Sequence, residues 1–420
     1  MARIYVETYG CTLNLADSDL ISGELLGAGH ELVSSAEYAD VVIINTCTVK
    51  GPTENKISSR IQRIAKSNRP LIIAGCLVAN TKMLRDIAPN AVIVGTGSIS
   101  FIKDAVKTAL LKHPAEFISF EDKNDLSRLF TAPILRIPIC EGCVNNCYFC
   151  HTKLARPRLR SYRQKTIARW VEEGVAKGAK EIQLTAMDSG VYGMDTKSDL
   201  PELMQSINSI NGDFLARLGM INPQHVKMLG NSLMDAISLP KFYKFIHVPV
   251  QTGSEKVCVE MNRGHTVEDF RSTLQTYRER MPEISMATDI IVGYPTETED
   301  DLEDTIKLIE RSGLDAINIS KFSARPGTKA KDLNVLKTQE VKRRSRIASE
   351  VARRVLEERN KKFIGKTYEV LITEKQKHFT GRNINYKQVV VKKFKGKLGD
   401  RIKVEIIDAN YGVLFGEHYL

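Results

Sequence analysis

Along the chain, short apolar runs alternate with stretches in which apolar residues recur every three to four positions. Runs at 4–6, 41–44, 71–74 and 91–94 are interleaved with helical patterns at 18–27, 57–65 and 101–111. Strands that alternate with helices build βαβ units, so residues 1–112 predict a Rossmann-like domain around a parallel sheet. Residues 113–131 are polar and aperiodic and read as a linker. A second series follows, with strands at 134–139, 181–185, 214–220, 245–250, 284–292 and 316–322 and helical segments such as 167–176 and 267–280. Six βα units predict a partial (βα)6 barrel of TIM type over 132–358, with its site at the C-terminal ends of the strands. The run 341–362 reads as a long, mostly basic helix bridging to the last unit. There, residues 359–420 show short alternating strands with glycine turns and predict a small β-barrel. The fold class is α/β.

Composition changes little in that picture. A chain of 420 residues, 42% hydrophobic and 26% charged, can bury two or three globular cores. It opens on a strand without a basic, apolar leader and holds no run of eighteen apolar residues, so a soluble, cytoplasmic protein without membrane contact is expected. In a reducing compartment, its eight cysteines point to metal or catalytic use before disulfides. The formal charge of +11 suggests a polyanionic partner. Residues 360–420 carry 13 Lys plus Arg against 6 Asp plus Glu, which makes the tail the basic part.

The cysteines carry the chemistry. In CEGCVNNCYFC, Cys143, Cys147 and Cys150 have the spacing Cys-x3-Cys-x2-Cys directly after a strand. Three thiolates can hold three irons of a 4Fe-4S cluster and leave the fourth open. S-adenosylmethionine (SAM) can chelate that iron through its amino and carboxylate groups, and one electron then cleaves the sulfonium to a deoxyadenosyl radical. Cys140 with these three could instead form a tetrahedral zinc site. Zinc ribbons separate their knuckles by a longer stretch, however, and Cys140, next to the strand, reads as core. Cys11, Cys47 and Cys76 each end a strand. Parallel strands present their C-terminal ends to one edge, so these three can meet at one crevice and hold a second cluster. The competing reading is three small buried residues, which also fits Cys258.

Basic residues surround the first of these loops. Lys153, Arg156, Arg158, Arg160, Arg163 and Lys165 lie in a stretch without an acid, broken by Tyr162, and read as phosphate contacts. In the last unit, Arg382, Lys387, Lys392, Lys393, Lys395 and Lys397 with Tyr386 and Phe394 combine cations and stacking rings, as RNA-binding barrels do.

Taken in order, TYGCTLN, NTCTV, AGCL, GCVNNCYFC, LTAMDSGVYG, RLGMINP, HVPVQTGSEKV, EMNRGHT and ATDIIVGYPTETEDD resemble the methylthiotransferases of the radical SAM superfamily over nearly the whole chain. The basic C-terminal barrel resembles a TRAM domain. The resemblance implies two 4Fe-4S clusters, an auxiliary one on Cys11, Cys47 and Cys76 and the radical SAM cluster on Cys143, Cys147 and Cys150. It implies Phe149 beside the SAM adenine, and Thr185, Asp188, Arg217, Gln251, Ser254 and Asp289 lining the cofactor pocket. One SAM would methylate a sulfur on the auxiliary cluster, and a second would yield the radical that takes hydrogen from the target carbon.

KLARPRLRSY, RLGMINP and SARPGT resemble the archaeal and eukaryotic branch, which converts N6-threonylcarbamoyladenosine beside the tRNA anticodon to its 2-methylthio form. The expected partners are tRNA and an electron donor such as ferredoxin or flavodoxin, and a monomer is expected. Other branches act on isopentenyladenosine in tRNA or on a ribosomal protein aspartate. A zinc-stabilised, non-catalytic RNA-binding protein is the alternative of another class. Two positions depart from the family's pattern: Pro157, where glycine is expected, and Glu141 before Gly142.

Overall fold

The computed structural model describes residues 1–48 and 51–418, without the side chains of 51–53. Val49, Lys50 and the last two residues of the expected barrel lie outside the described residues. The first unit is a six-stranded parallel sheet of β1 (Arg3–Thr8), β2 (Glu31–Leu32), β3 (Val41–Thr46), β4 (Leu71–Gly75), β5 (Val92–Val94) and β6 (Ala115–Phe117), in the order β2-β1-β3-β4-β5-β6. The central strands VVIINT and LIIAG are buried at every residue, as expected when helices cover both faces. Those helices are α1 (Thr12–Gly27), α2 (Gly51–Lys66), α3 (Thr81–Ile87) and α4 (Ile102–Leu110).

The expected linker is more than a tether. It supplies β6, and Lys123, Asn124 and Arg128 within it are buried. Leu129 N–H donates to the Asp19 carbonyl on α1, 2.8 Å away. Helix α1 packs on the second unit as well as on its own sheet, so one apolar cluster runs from Ile4, Leu20 and Leu25 through Leu135, Ile137 and Ile182.

The second unit holds β7 (Ile134–Pro138), β8 (Cys140–Glu141), α5 (Thr152–Ala155), β9 (Arg160–Ser161), α6 (Gln164–Ala176), β10 (Glu181–Thr185), α7 (Leu200–Ser209), β11 (Leu215–Arg217) and α8 (Pro223–Ser238). It continues through β12 (Phe245–His247), α9 (Glu255–Glu260), α10 (Val267–Arg280), β13 (Ser285–Val292), α11 (Glu299–Arg311), β14 (Ala316–Lys321) and α12 (Thr338–Lys361). Two three-stranded parallel sheets, β11-β10-β7 and β12-β13-β14, are joined by a parallel bridge between Ala216 and Phe242. The result is an open six-stranded partial barrel. Capping boxes start α10 at Thr266/Asp269 and α11 at Thr298/Asp301, satisfying N–H groups that the first turn leaves over. Helix α12 buries Arg344, Ala348, Ala352, Leu356 and Asn360, one side of a helix at spacings of four.

The last unit is a closed barrel of β15 (Thr367–Lys375), β16 (Phe379–Asn383), β17 (Gln388–Lys392), β18 (Arg401–Ala409) and β19 (Leu414–His418), ordered β15-β16-β17-β19-β18. Its β16–β17 turn enters the floor of the partial barrel. There the Tyr386 ring meets Tyr243 edge-on at 4.8 Å and Phe245 at 5.1 Å, and its hydroxyl donates to Glu181 at 3.3 Å. Such aromatic contacts contribute roughly 0.5–1.5 kcal/mol each beyond their buried area.

Candidate active site

Three cysteines stand on adjacent loops at the C-terminal edge of the first sheet. Cys11 follows β1 as the N-cap of α1, Cys47 follows β3, and Cys76 opens the 3-10 turn Cys76–Asn80 after β4. Since β1, β3 and β4 are neighbours in the sheet, their ends lie side by side. Side chains stitch the loops together. Thr46 Oγ1 donates to the Ala74 carbonyl at 2.5 Å and accepts from Leu77 N–H at 3.1 Å. Asn14 Nδ2 donates to the carbonyls of Tyr9 and Thr46 at 2.6 and 3.1 Å.

Two glycines allow this closeness. At Gly10, φ is +116° and a Cβ would stand 2.7 Å from the Cys47 Cβ. At Gly75, φ is +89° and a Cβ would stand 2.5 Å from the Thr46 carbonyl oxygen. Both conformations and both approaches exclude a side chain. Cys11 is exposed while Cys47 and Cys76 are buried. Burial pushes the Cys76 thiol up to about 12; Arg156 opposes the shift, and Cys11 and Cys47 add to it.

The second triad lies in the loop between β8 and α5. Cys143 is buried, and its Sγ accepts from Asn145 N–H at 3.4 Å. Cys150 N–H donates to the Cys147 carbonyl at 3.1 Å, and Lys153 donates to the Cys143 carbonyl. Burial raises Cys143 to about 12 and also raises Cys150, with each other cysteine of the loop adding to the effect on Cys143. Cys140 turns away into the core, where its thiol faces the Asp188 carbonyl at 3.5 Å, so it does not complete a tetrahedral set. Cys258 is likewise core, its thiol donating to the His265 carbonyl at 3.2 Å.

Among the described residues, no three His, Cys, Asp or Glu side chains converge tightly enough to share one metal ion. A 4Fe-4S cluster requires something else, one thiolate on each of three irons, and each triad offers that donor set. The elements that follow the two triads pack on one another. Helix α5, which begins two residues after Cys150, packs on the turn that Cys76 opens. Thr96 Oγ1 donates to the Ala155 carbonyl at 2.7 Å, and Arg325 pairs with Glu54 across the same seam.

The residues expected around SAM take several roles. Phe149 packs with Tyr148, Val257, Met261 and Tyr294 beside the second triad. Thr185 is buried at the end of β10, and its carbonyl accepts from Ile139 N–H at 2.9 Å. Gln251, at φ +78°, exchanges backbone hydrogen bonds with Asp289 and Ile291, and His247 Nε2 lies 3.0 Å from the Asp289 carboxylate. Asp188 is committed internally: it accepts from Gly190 N–H, Asn222 Nδ2 and His225 Nδ1 at 3.0, 2.5 and 2.7 Å, which ties the β10 loop to the start of α8. Ser254 caps α9 and donates to Asp301 at 2.6 Å. Arg217 lies over Phe245 and Tyr386, at 5.5 and 5.6 Å from their ring centres, towards the barrel floor.

The expected RNA contacts divide. Arg158, Arg160, Arg163, Lys165, Lys392, Lys393, Lys395 and Lys397 are exposed. Arg160 and Arg163 also hold the linker, through the Phe120 carbonyl at 2.6 Å and Asp122 at 2.9 Å. Arg156 corrects the expectation: it is 2% exposed and ion-paired with Asp17 and Glu141, so no phosphate can reach it. Lys387 does so too, being buried against Asn360 at 2.7 Å and Asp315 at 3.3 Å. Tyr386 fills the barrel floor, Arg382 lies 4.7 Å from its ring centre, and Lys153 is half-buried on the cysteine loop.

Arg263 was not legible from spacing. It is 3% exposed, and its guanidinium donates to Cys147 Sγ at 3.1 Å, Asn222 Oδ1 at 2.5 Å and the Pro249 carbonyl at 2.8 Å. Glu141 finds its reason here: it accepts from Lys123 at 2.5 Å and Tyr162 at 2.8 Å. Burial opposes its charge, but Lys123 and Arg156 hold it down to about 2.

Comparison with known proteins adds three family matches: Uncharacterized protein family UPF0004 over residues 3–95, Radical SAM superfamily over 137–309 and TRAM domain over 361–418. The chain is 39% identical to a probable threonylcarbamoyladenosine tRNA methylthiotransferase of Archaeoglobus fulgidus, across 99% of this chain and 98% of that protein. It is 31% identical to the threonylcarbamoyladenosine tRNA methylthiotransferase of Homo sapiens, across 100% of this chain and 73% of that protein. Its fold is similar to the radical SAM methyltransferase TsrM of Kitasatospora setae, solved with cobalamin and a 4Fe-4S cluster, at TM-score 0.60 and 13% identity over 79% of this chain and 77% of that one.

Proposed function

The chain belongs to the threonylcarbamoyladenosine tRNA methylthiotransferases, and on that premise we propose that it is a radical SAM enzyme converting N6-threonylcarbamoyladenosine in tRNA to the 2-methylthio form. Membership brings SAM and one 4Fe-4S cluster, and the TRAM barrel fits a tRNA substrate. Cys143, Cys147 and Cys150 would hold that cluster. Cys11, Cys47 and Cys76 would hold a second, auxiliary cluster. The observation that supports this reading is the packing of α5, just after Cys150, on the Cys76–Asn80 turn.

When bound, the two clusters with SAM supply a radical to activate the target carbon and a sulfur to fill it. The chain's own residues do the positioning. Arg263 gives a charge-assisted hydrogen bond to Cys147 and orients it. Asp188 fixes the strand end and α8 that frame the pocket. Glycines 10 and 75 keep the auxiliary loops closed. Bringing both clusters to one carbon is a problem of proximity, and the core shared by the two units supports such an arrangement.

For RNA, Arg158, Lys392 and Lys393 remain as exposed phosphate contacts, with Arg160 and Arg163 beside them. We assign a single-electron donor of the ferredoxin or flavodoxin kind and a monomeric enzyme. No helix among the described residues is long and apolar enough to cross a membrane. The test is an anaerobic reaction of the reconstituted protein with SAM, reductant and threonylcarbamoylated tRNA, followed by mass spectrometry of the nucleosides. A 2-methylthio product is expected. Unchanged nucleoside alongside cleaved SAM would overturn the substrate assignment.

A further inference from the structure

Arg156 begins as a residue of the wrong kind in the wrong place, a guanidinium almost wholly removed from water. It terminates α5, six residues after Cys150, and reaches into the first unit. One of its nitrogens donates to Asp17, on the helix that Cys11 caps. Lys123 already serves both carboxylates of this pocket, at 3.3 Å from Asp17 and 2.5 Å from Glu141. Two Arg156 nitrogens, Nε and Nη1, therefore make no directed hydrogen bond, although Nη1 lies 3.2 Å from Glu141. Buried donors without acceptors are costly, which points to an acceptor that these two would serve. The turn that Cys76 opens packs against α5, whose end Arg156 forms, and while burial raises the Cys76 thiol the Arg156 charge opposes that shift.

We propose that Arg156 is a positioning residue for the auxiliary cluster: extended from the radical SAM loop, it directs its unspent N–H donors and its positive charge at Cys76 and the sulfurs behind it. The inference rests on the auxiliary-cluster reading above. Hydrogen bonds to sulfur and local charge are what set the reduction potential of such clusters, so Arg156 favours the reduced state. It also makes the two cluster loops interdependent, because the residue that tunes one cluster is carried by the loop that holds the other.

Simple removal would leave two buried carboxylates, Asp17 and Glu141, against the single charge of Lys123, so the comparison is between Asp17→Asn and the double variant Asp17→Asn with Arg156→Met, both as full chains carrying their clusters. Iron analysis comes first. A chain with Cys11, Cys47 and Cys76 changed to Ala should lose about half of roughly eight irons; full retention would remove the premise itself. Potentiometric titration followed by electron paramagnetic resonance (EPR) then resolves two waves, and the Cys143, Cys147 and Cys150 to Ala chain identifies the auxiliary one. The double variant should move that wave to more negative potential than Asp17→Asn alone and leave the other wave in place. An unmoved auxiliary wave with full iron would overturn the inference. If the double variant fails to hold the auxiliary irons, Asp17→Asn with Arg156→Lys decides: restored iron supports the charge role, and continued loss overturns it.

Discussion

Replacing Asp315 by Asn tests how the C-terminal barrel is seated beneath the catalytic unit. The Asp315 carboxylate is buried and accepts from Arg359 at 2.6 Å, Arg278 at 3.0 Å and Met286 N–H at 3.0 Å, with Lys387 at 3.3 Å. Arg278 and Arg359 are about a quarter exposed and can turn to water when the charge goes; Lys387, 8% exposed, cannot. The cost therefore concentrates on the turn that carries Lys387 and Tyr386. Breaking a buried ion pair by removing one partner costs about 3–5 kcal/mol, and the asparagine oxygen that remains argues for the lower figure. About 3 kcal/mol is on the order of a hundredfold in the opening equilibrium.

Hydrogen exchange of amides in 379–392 should accelerate by that factor in the variant, and adding Lys387→Met should recover most of it. A change below about threefold would refute the reasoning. The sign with pH follows. Burial opposes the charge on Asp315, but Lys387 and Arg359 outweigh it and hold the carboxyl below its ordinary range. Its contribution is thus fully present above pH of about 4 and is lost as pH falls through the folded value. Exchange in 379–392 should rise in acid.

Three further outcomes are expected. Arg263→Leu should retain cluster iron yet slow SAM cleavage by about tenfold, since a hydrogen bond to a charged group contributes about 1.5–3 kcal/mol; an unchanged rate in single-turnover assays would count against its role. Lys392→Glu with Lys393→Glu should weaken tRNA binding and reduce the slope of log affinity on log salt by about two, whereas Lys387→Ala should leave that slope alone; filter binding at several salt concentrations distinguishes them. Gly10→Ala places a Cβ against Cys47 and should lower iron from about eight to about four per chain while the Cys143 loop stays loaded.

Much of this architecture was visible in the pattern of the chain. The strands ending at Cys11, Cys47 and Cys76 are short apolar runs bounded by turn residues, and parallel topology alone brings their ends together. The six strands of the partial barrel were legible for the same reason. Burial of charge was not. Arg156 and Arg158 sit two residues apart in one basic run, yet one is locked to Asp17, more than a hundred positions away, and the other faces water. Periodicity reports which side of an element is apolar; it cannot say which cation a distant carboxylate will claim. Lys387 is the same lesson in the last unit, claimed by Asp315. Asp188 and Ser254 look like ligand contacts at strand ends, but their oxygens are taken by N–H groups of the adjoining turns and helices. Glu141, a departure from the family pattern, is where the linker, the cysteine loop and the first unit exchange charge.

The proposed sulfur insertion requires two iron-sulfur clusters in one crevice. Magnetic coupling between them falls steeply with separation, so the EPR spectrum of the fully reduced protein reads their proximity. Broadening and faster relaxation are expected in the intact chain, and both should vanish when either cysteine triad is changed to Ala. A spectrum equal to the plain sum of the two single-triad variants would contradict the account.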